Sequence, residues 1–486
     1  MVNRWWVGAT PAVSYRLRVI GEGPVIGHRL MMKTAALGVV ALALAISPAS
    51  AESMATALAA AYTDNPDLNS ARAQLRAIDE DVPKALSGYR PTVSATIDVG
   101  TQTSRQQLPG LEMSDWSKGV MPRAYTLSVE QPIFLGFRTT NSVKLAQTAV
   151  KAAREQLKVV ESSVLLDGVT AFMDVIRAQV VVNLTAQNIE FLREQLRAAD
   201  DRLEVGEGTR TDVAQTNAQL QGGLSDYAQA VADLNRAIAT YIQIIGHRPN
   251  DLGGYNGIER LLPRSIDAGL EVALQSHPAI VAALYNIDVA SYNVRIAEGA
   301  ALPTLGVSGS VSRREDQGIH DTTSDLAQIS GRLTVPIYQG GEVAANVRQF
   351  KETLGQRRIE LDSARAQVRQ ALVSSWGQLD AARAQVTAAE SQVSAQQLVL
   401  SGVIEERRVG QRTTLDVLNS QQDLLDARVL LVNAQYSKVV GAYTVLSAYG
   451  KLNAQTLGLA VNVYDPAAHY DSVRDKWGGL RTPDGR

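Results

Sequence analysis

The sequence predicts an internally duplicated α+β membrane protein. Long antiparallel helices would form coiled coils, and four strands per chain would contribute to a transmembrane β-barrel. Three observations lead there. An export signal is followed by no apolar run of transmembrane-helix length, and an exported chain of that kind is either soluble or a β-barrel. Two stretches about 200 residues apart repeat one another. Within each repeat the hydrophobic period changes from that of a strand to that of a helix.

Residues 31–51, MMKTAALGVVALALAISPASA, carry the signal. Lys33 is its charged start, Ala35 to Ile46 its apolar stretch, and Ala49-Ser50-Ala51 fits small-x-small cleavage. A dozen or so apolar residues fall short of the ~20 that a helical span needs. Residues 1–30 precede a complete signal and have no regular period, so they are expected to be an upstream extension, with translation starting at Met31 or Met32. N-terminal sequencing of the exported protein is expected to begin at Glu52. A mature chain that keeps residues 31–51 would contradict this.

The duplication covers most of the remainder. Asn65-Pro66 matches His277-Pro278, and Pro91-Thr92 matches Pro303-Thr304, both at an offset of 212. Pro132 matches Pro336, Gly206 matches Gly410, and Gly246 matches Gly450, all at 204. One length change of eight residues in a loop accounts for the shift. Residues 52–250 and 265–452 are therefore read as two copies of one unit, joined by a linker at 251–264 and followed by a C-terminal tail at 453–486.

The strands are expected at about 91–100, 123–133, 303–312 and 327–337. Val93, Ile97, Leu127, Val129, Val307 and Leu333 fall on one face, and Thr96, Ser128, Ser308 and Thr334 on the other. The loop at about 102–122 carries Gly110, Trp116 and Gly119; that at 313–326 carries Asp316, His320 and Asp321. No proline occurs from Ile133 to Arg248 or from Ile337 to Asp465, which points to long helices. Leu220, Leu224, Tyr227, Val231, Leu234 and Ile238 form a heptad seam, as do Leu425, Val429, Val432, Tyr436, Val439 and Tyr443. A helix from about 138 to 205 would be ~100 Å long, with Gly168 as a candidate bend.

Each long helix ends in an elbow. Val205-Gly206-Glu207-Gly208-Thr209 and Val409-Gly410-Gln411-Arg412-Thr413 place glycine where the helix stops and threonine where the next begins. Asp212 and Asp416 then stand at the third helical position, beside exposed amides. Pro132 to Gly206 and Pro336 to Gly410 each span 74 residues, so equal arms end at equal height.

Other classes are disfavoured. A net charge of −2 offers no field to nucleic acid. The absence of Cys excludes thiolate catalysis, Cys-bound zinc, disulfides and a lipid-modified N-terminal Cys. His28, His247, His277, His320 and His469 lack partners at metal-site spacing, and there is no phosphate loop or nucleophile elbow. No catalytic, cofactor or metal site is expected, so the chain is not read as an enzyme. Four strands cannot close a barrel, and open edges cannot face lipid. Two, three or four chains would give eight, twelve or sixteen strands. Eight-stranded barrels are filled by their own side chains, so a conducting barrel requires twelve or more.

The order of elements, with VGQRTTLDVLNSQQDL and VGEGTRTDVAQTNAQL at the elbows, resembles the TolC family of outer-membrane efflux and type I secretion channels. The resemblance covers residues 52 to about 452, and the tail at 464–479 is similar to that of some members. It implies a homotrimer with a twelve-stranded outer-membrane barrel in lipid and a periplasmic tunnel of twelve helices. It also implies an entrance closed at the tip, a periplasmic adaptor (membrane fusion) protein, and an inner-membrane RND or ABC transporter. Thr211, Asp212, Arg407, Arg412, Asp416 and Asn419 become the gate candidates, with Gly206, Gly208 and Gly410 as turn glycines. Arg407 stands where the family often has a tip Tyr, Asn419 where it has an acid, and Gln435 where it has a bracing Arg, so the closed entrance must be bonded differently. Arg407 or Arg408 would replace the Tyr contact with an ion pair, and Arg412 would tie the second elbow to Asp212. For Asp212 and Asp416, helix capping and gating are both compatible with the position. The alternative is a periplasmic coiled-coil structural or adaptor protein without a pore.

Overall fold

The computed structural model describes residues 51–103, 120–253, 257–317 and 321–485. The expected upstream extension at 1–30, all but the last residue of the expected signal at 31–51, and the loop residues Gly110, Trp116, Gly119 and His320 lie outside them. Among the described residues no helix is long and apolar enough to cross a membrane.

The two units repeat one plan. In the first, α1 (Met54–Asp64) is capped by Ser53, whose hydroxyl accepts from the Thr56 amide. Helix α2 (Pro66–Asp79) follows, with Pro66 in its first turn and Asn65 accepting from the amides of Asp67 and Leu68. Proline suits that position because the first-turn amide needs no helical partner. After α3 (Asp81–Leu86) come β1 (Thr92–Val99), β2 (Arg123–Leu135), α4 (Arg138–Glu204) and α5 (Arg210–Ile245). In the second unit α6 (Ile266–Ser276) is capped by Ser265, and α7 (Pro278–Gly299) by the His277 ring, whose Nδ1 accepts from the Ala279 amide. Then follow β3 (Thr304–Glu315), β4 (Thr323–Thr334), α8 (Glu342–Arg408) and α9 (Thr414–Ala448). The short α10 (Pro466–Val473) lies in the tail.

Helices α4 and α8 each have 67 residues, about 100 Å at 1.5 Å per residue. Helix α4 runs through Gly168 without interruption; what the glycine supplies is room, since a Cβ there would stand 2.9 Å from Leu58 Cδ2. The main core surrounds the strand-proximal parts of the long helices. Leu58, Leu165, Phe172, Tyr241, Leu372 and Leu446 are fully enclosed there. Beyond it the helices run on as antiparallel pairs, α4 with α5 and α8 with α9. A small cluster of Ile189, Leu192, Leu220 and Leu418 joins the two pairs near the tip.

The strands form one antiparallel sheet in the order β1-β2-β3-β4. Because directly opposed residues share a face, the register fixes both faces. Val93 opposes Val129, Ala95 opposes Leu127, Leu127 opposes Val311, Gly309 opposes Ile329, and Leu305 opposes Leu333. That face is largely apolar across all four strands, with Gln131 within it and Arg313 opposite Asp325 at the loop end. On the other, Ser94 and Ser128 hydroxyls meet at 2.8 Å and Ser308 and Ser330 at 2.9 Å. All ten residues assigned to faces from the sequence fall as expected. The second hairpin is longer than its sequence suggested, so Arg313 to Glu315 and Thr323 to Leu326 are strand rather than loop. Strand β4 also ends early, at Thr334 instead of about 337.

The tail folds back on the first unit. Tyr464 donates its amide to the Tyr62 hydroxyl, His469 Nδ1 lies 3.0 Å from buried Asp79 Oδ2, and the Arg90 guanidinium stacks 4.5 Å from the Trp477 ring. Burial raises the Asp79 carboxyl above its ordinary range, against the lowering effect of His469.

Candidate functional site at the hairpin tips

Both elbows close by the same hydrogen bonds. Glu207 donates its amide to Arg202 O and Gly206 to Leu203 O; Gln411 donates to Glu406 O and Gly410 to Arg407 O. This pairing is a Schellman motif, and it needs a left-handed residue at its centre. Gly206 and Gly410 supply it at φ 81° and 80°. Gly208 serves differently: a Cβ there would lie 3.0 Å from the Leu203 amide nitrogen.

The next helix starts with a full capping box in each case. The Thr209 hydroxyl accepts from the Asp212 amide at 3.1 Å, and Asp212 Oδ2 accepts the Thr209 amide at 3.2 Å. Thr413 and Asp416 do the same at 3.2 and 2.9 Å. These bonds from Thr413, backbone first, hold the Asp416 carboxyl below the usual range, and Arg412 adds to the effect. Within one chain, then, Asp416 is a stabilised anion and not one pushed towards neutrality by crowding. Its contribution to the elbow is present above the ordinary carboxylate pKa and lost as the pH falls through the lower, folded value. Protection factors of the amides at residues 414–417 should therefore hold at neutral pH and fall as the pH drops below the ordinary carboxylate range. Thr413→Ala should lower them at every pH, by about 1 kcal/mol of helix stability.

The other candidates separate. Arg412 Nε donates to Glu406 Oε2 at 2.8 Å, within its own hairpin, and not to Asp212. Arg408 pairs with Glu405, one turn earlier. Arg407 instead reaches the other hairpin, where its guanidinium donates to Gln195 Oε1 at 2.7 Å. Its partner is a neutral amide, so the contact is a hydrogen bond and not an ion pair. Burial, then repulsion from Arg202 and Arg408, lowers the Arg407 pKa. Thr211 and Asn419 are exposed.

A second polar tie crosses nearby. Gln421 Nε2 donates to Asn188 Oδ1 at 3.0 Å, and Asn188 is buried. Gln195, Asn188, Gln421 and Glu406 carry no local sequence signal. Arg407 and Gln195 stand 212 residues apart, and Gln421 and Asn188 stand 233 apart. Among the described residues no group of His, Asp or Glu could hold a metal ion.

The family model described as outer membrane efflux protein matches residues 57–247 and 269–451. The chain belongs to the outer membrane efflux protein family. One relative in that family, the outer membrane efflux protein BepC of Brucella suis, is 44% identical over 90% of this chain and 93% of its own. Another, the outer membrane protein TolC of Escherichia coli, is 26% identical over 85% of each. Among solved structures, the CmeC outer membrane channel of Campylobacter jejuni superposes with a TM-score of 0.74 at 18% identity, over 87% of this chain and 89% of that one. The outer membrane efflux family accounts for a sheet with one largely apolar face: the protein is an outer-membrane exit duct.

Proposed function

We propose that three copies of this chain close into a twelve-stranded barrel in outer-membrane lipid, continued by a periplasmic tunnel of long helices. Cargo would pass through it from an inner-membrane transporter, of RND or ABC type, joined by a periplasmic adaptor. The observation that carries this is the four-stranded sheet, apolar on one face and hydroxyl-lined on the other. Its outer strands β1 and β4 each have one unpaired edge, and closure is what protects such edges in lipid.

The elbows form the entrance in this reading. Arg407 and Gln421 tie neighbouring hairpins, and the three copies of Asp416 make an anionic ring near the axis. Asp416→Ala is expected to reduce cation selectivity and block by trivalent ions in planar bilayers. A change in thermal stability alone would leave Asp416 as a cap.

The conduit suits small-molecule efflux and protein secretion alike, and relatives carry both descriptions: BepC is an efflux protein, and AprF of Pseudomonas aeruginosa, 24% identical, is an alkaline protease secretion protein. Deletion of the gene, scored for drug and detergent sensitivity against loss of secreted protein, separates them. A deletion strain with neither defect would argue against an exit duct.

A further inference from the structure

The chain contains a template for its own contact with the next copy. In the sheet, β2 of the first unit pairs with β3 of the second, with Ser128 opposite Ser310. If units continue around a ring, β4 of one copy must meet β1 of the next in the same way. The repeat offsets translate one seam into the other. The two hairpins show that the translation is sound: Thr92 opposes Glu130, and the residues 212 and 204 positions later, Thr304 and Thr334, also oppose each other.

Adding 204 to Ser128 gives Arg332, and subtracting 212 from Ser310 gives Asp98. We infer that β4 pairs antiparallel with β1 of a second copy in this register, and that Arg332 of one copy forms an ion pair with Asp98 of the next on the hydroxyl-lined face. The inference rests on the ring-shaped assembly proposed above and specifies its seam.

Three observations support it. Within the chain Asp98 opposes Ala124, and Arg332 opposes Gly306, so each charge has only a small residue opposite it. Both side chains are exposed. The signs are complementary only head to tail: pairing β1 with β1 or β4 with β4 would bring like charges towards one another. Opposite charges at a heterologous contact favour a closed ring over a two-fold dimer.

The early end of β4 has the same origin. Strand β2 continues past Glu130 to Leu135, where β3 is its neighbour. The equivalent of that extension is 335–339, and its neighbour would be β1 of the next copy. In the single chain it is not strand, and Val335, Ile337 and Tyr338 are 54%, 94% and 85% exposed. In the ring it becomes strand, with Leu333 beside Ile97 and Val335 beside Ala95, which continues the apolar face.

The helices obey the same translation. The tie from Gln421 to Asn188 becomes Asn217 of one copy against Gln392 of the other, again two amides. The Arg407 to Gln195 contact becomes Leu203 against Val399, which is 48% exposed in the single chain.

The test uses disulfides, in a chain that has no Cys of its own. Thr96→Cys with Thr334→Cys should link copies into covalent dimers and trimers. Edge strands of one sheet lie three spacings apart, about 14 Å, too far for a bond within a chain. Thr92→Cys with Thr334→Cys, displaced by four residues, or about 13 Å, should not link. Separately, Asp98→Arg and Arg332→Asp should each lower the fraction of heat-resistant oligomer severalfold, and the double exchange should restore it. Linkage by the displaced pair, or by neither pair in protein that still forms trimers, overturns the register and leaves the ring. Failure of the double exchange to rescue overturns the ion pair. Monomeric wild-type protein in outer-membrane extracts would instead sink the proposed assembly.

Discussion

Leu127→Arg is expected to remove the protein from the outer membrane, and Ser128→Arg, one residue on, to leave it there with altered conductance. Leu127 stands between Ala95 and Val311 on the apolar face. It is 52% exposed in the single chain, which the proposed barrel would turn towards lipid. An Arg on the lipid face near the bilayer midplane costs about 2–4 kcal/mol. In the proposed trimer, three copies in separate strands would add to about 6–12 kcal/mol. That is comparable with the whole folding stability of a typical domain, about 5–15 kcal/mol. Ser128 lies on the opposite face, bonded to Ser94, and an Arg there would meet water and narrow the lumen. Heat-modified mobility of outer-membrane fractions reads the first effect, and single-channel recordings read the second. Equal damage from the two substitutions would mean that the sheet does not separate lipid from water.

Much of this architecture was legible because it depends on local rules. Alternation fixed the strand faces. Proline-free stretches and heptads marked the long helices, and Thr-x-x-Asp marked the capping boxes at both elbows. What was not legible depends on contacts distant in sequence. Nothing near Arg407 announces Gln195, and nothing near Arg412 shows that Glu406, folded back across the turn, will be its partner in place of Asp212. The tail was equally silent: Tyr464, His469 and Trp477 find Tyr62, Asp79 and Arg90 about four hundred residues away. The residues at 335–337 have the alternation of a strand but lack a neighbour in the single chain. A pattern can specify a strand and still leave its pairing to another molecule.

Arg407→Ala combined with Gln421→Ala is expected to raise the conductance of the purified channel without lowering its abundance in the outer membrane. These side chains make the two polar ties between hairpins near the tip, to Gln195 and Asn188. A hydrogen bond with one charged partner is worth about 1.5–3 kcal/mol, and a neutral one about 0.5–1.5. Losing both would lower the opening cost by about 2–4 kcal/mol per chain, or roughly 30- to 900-fold in the closed-to-open ratio. Neither change touches the capping boxes or the strand-proximal core, so the barrel should assemble normally. Arg412→Ser makes the contrast. It breaks a bridge to Glu406 in which both side chains are about half exposed, 50% and 46%, and such bridges contribute about 0–1 kcal/mol. It should change conductance far less than the double variant. If Arg412→Ser instead opens the channel as widely, the lock lies in a contact that Arg412 makes only with a neighbouring copy. Asp212 of that neighbouring copy would then be its partner, a carboxylate that Thr209 and the first turn of α5 already hold in place.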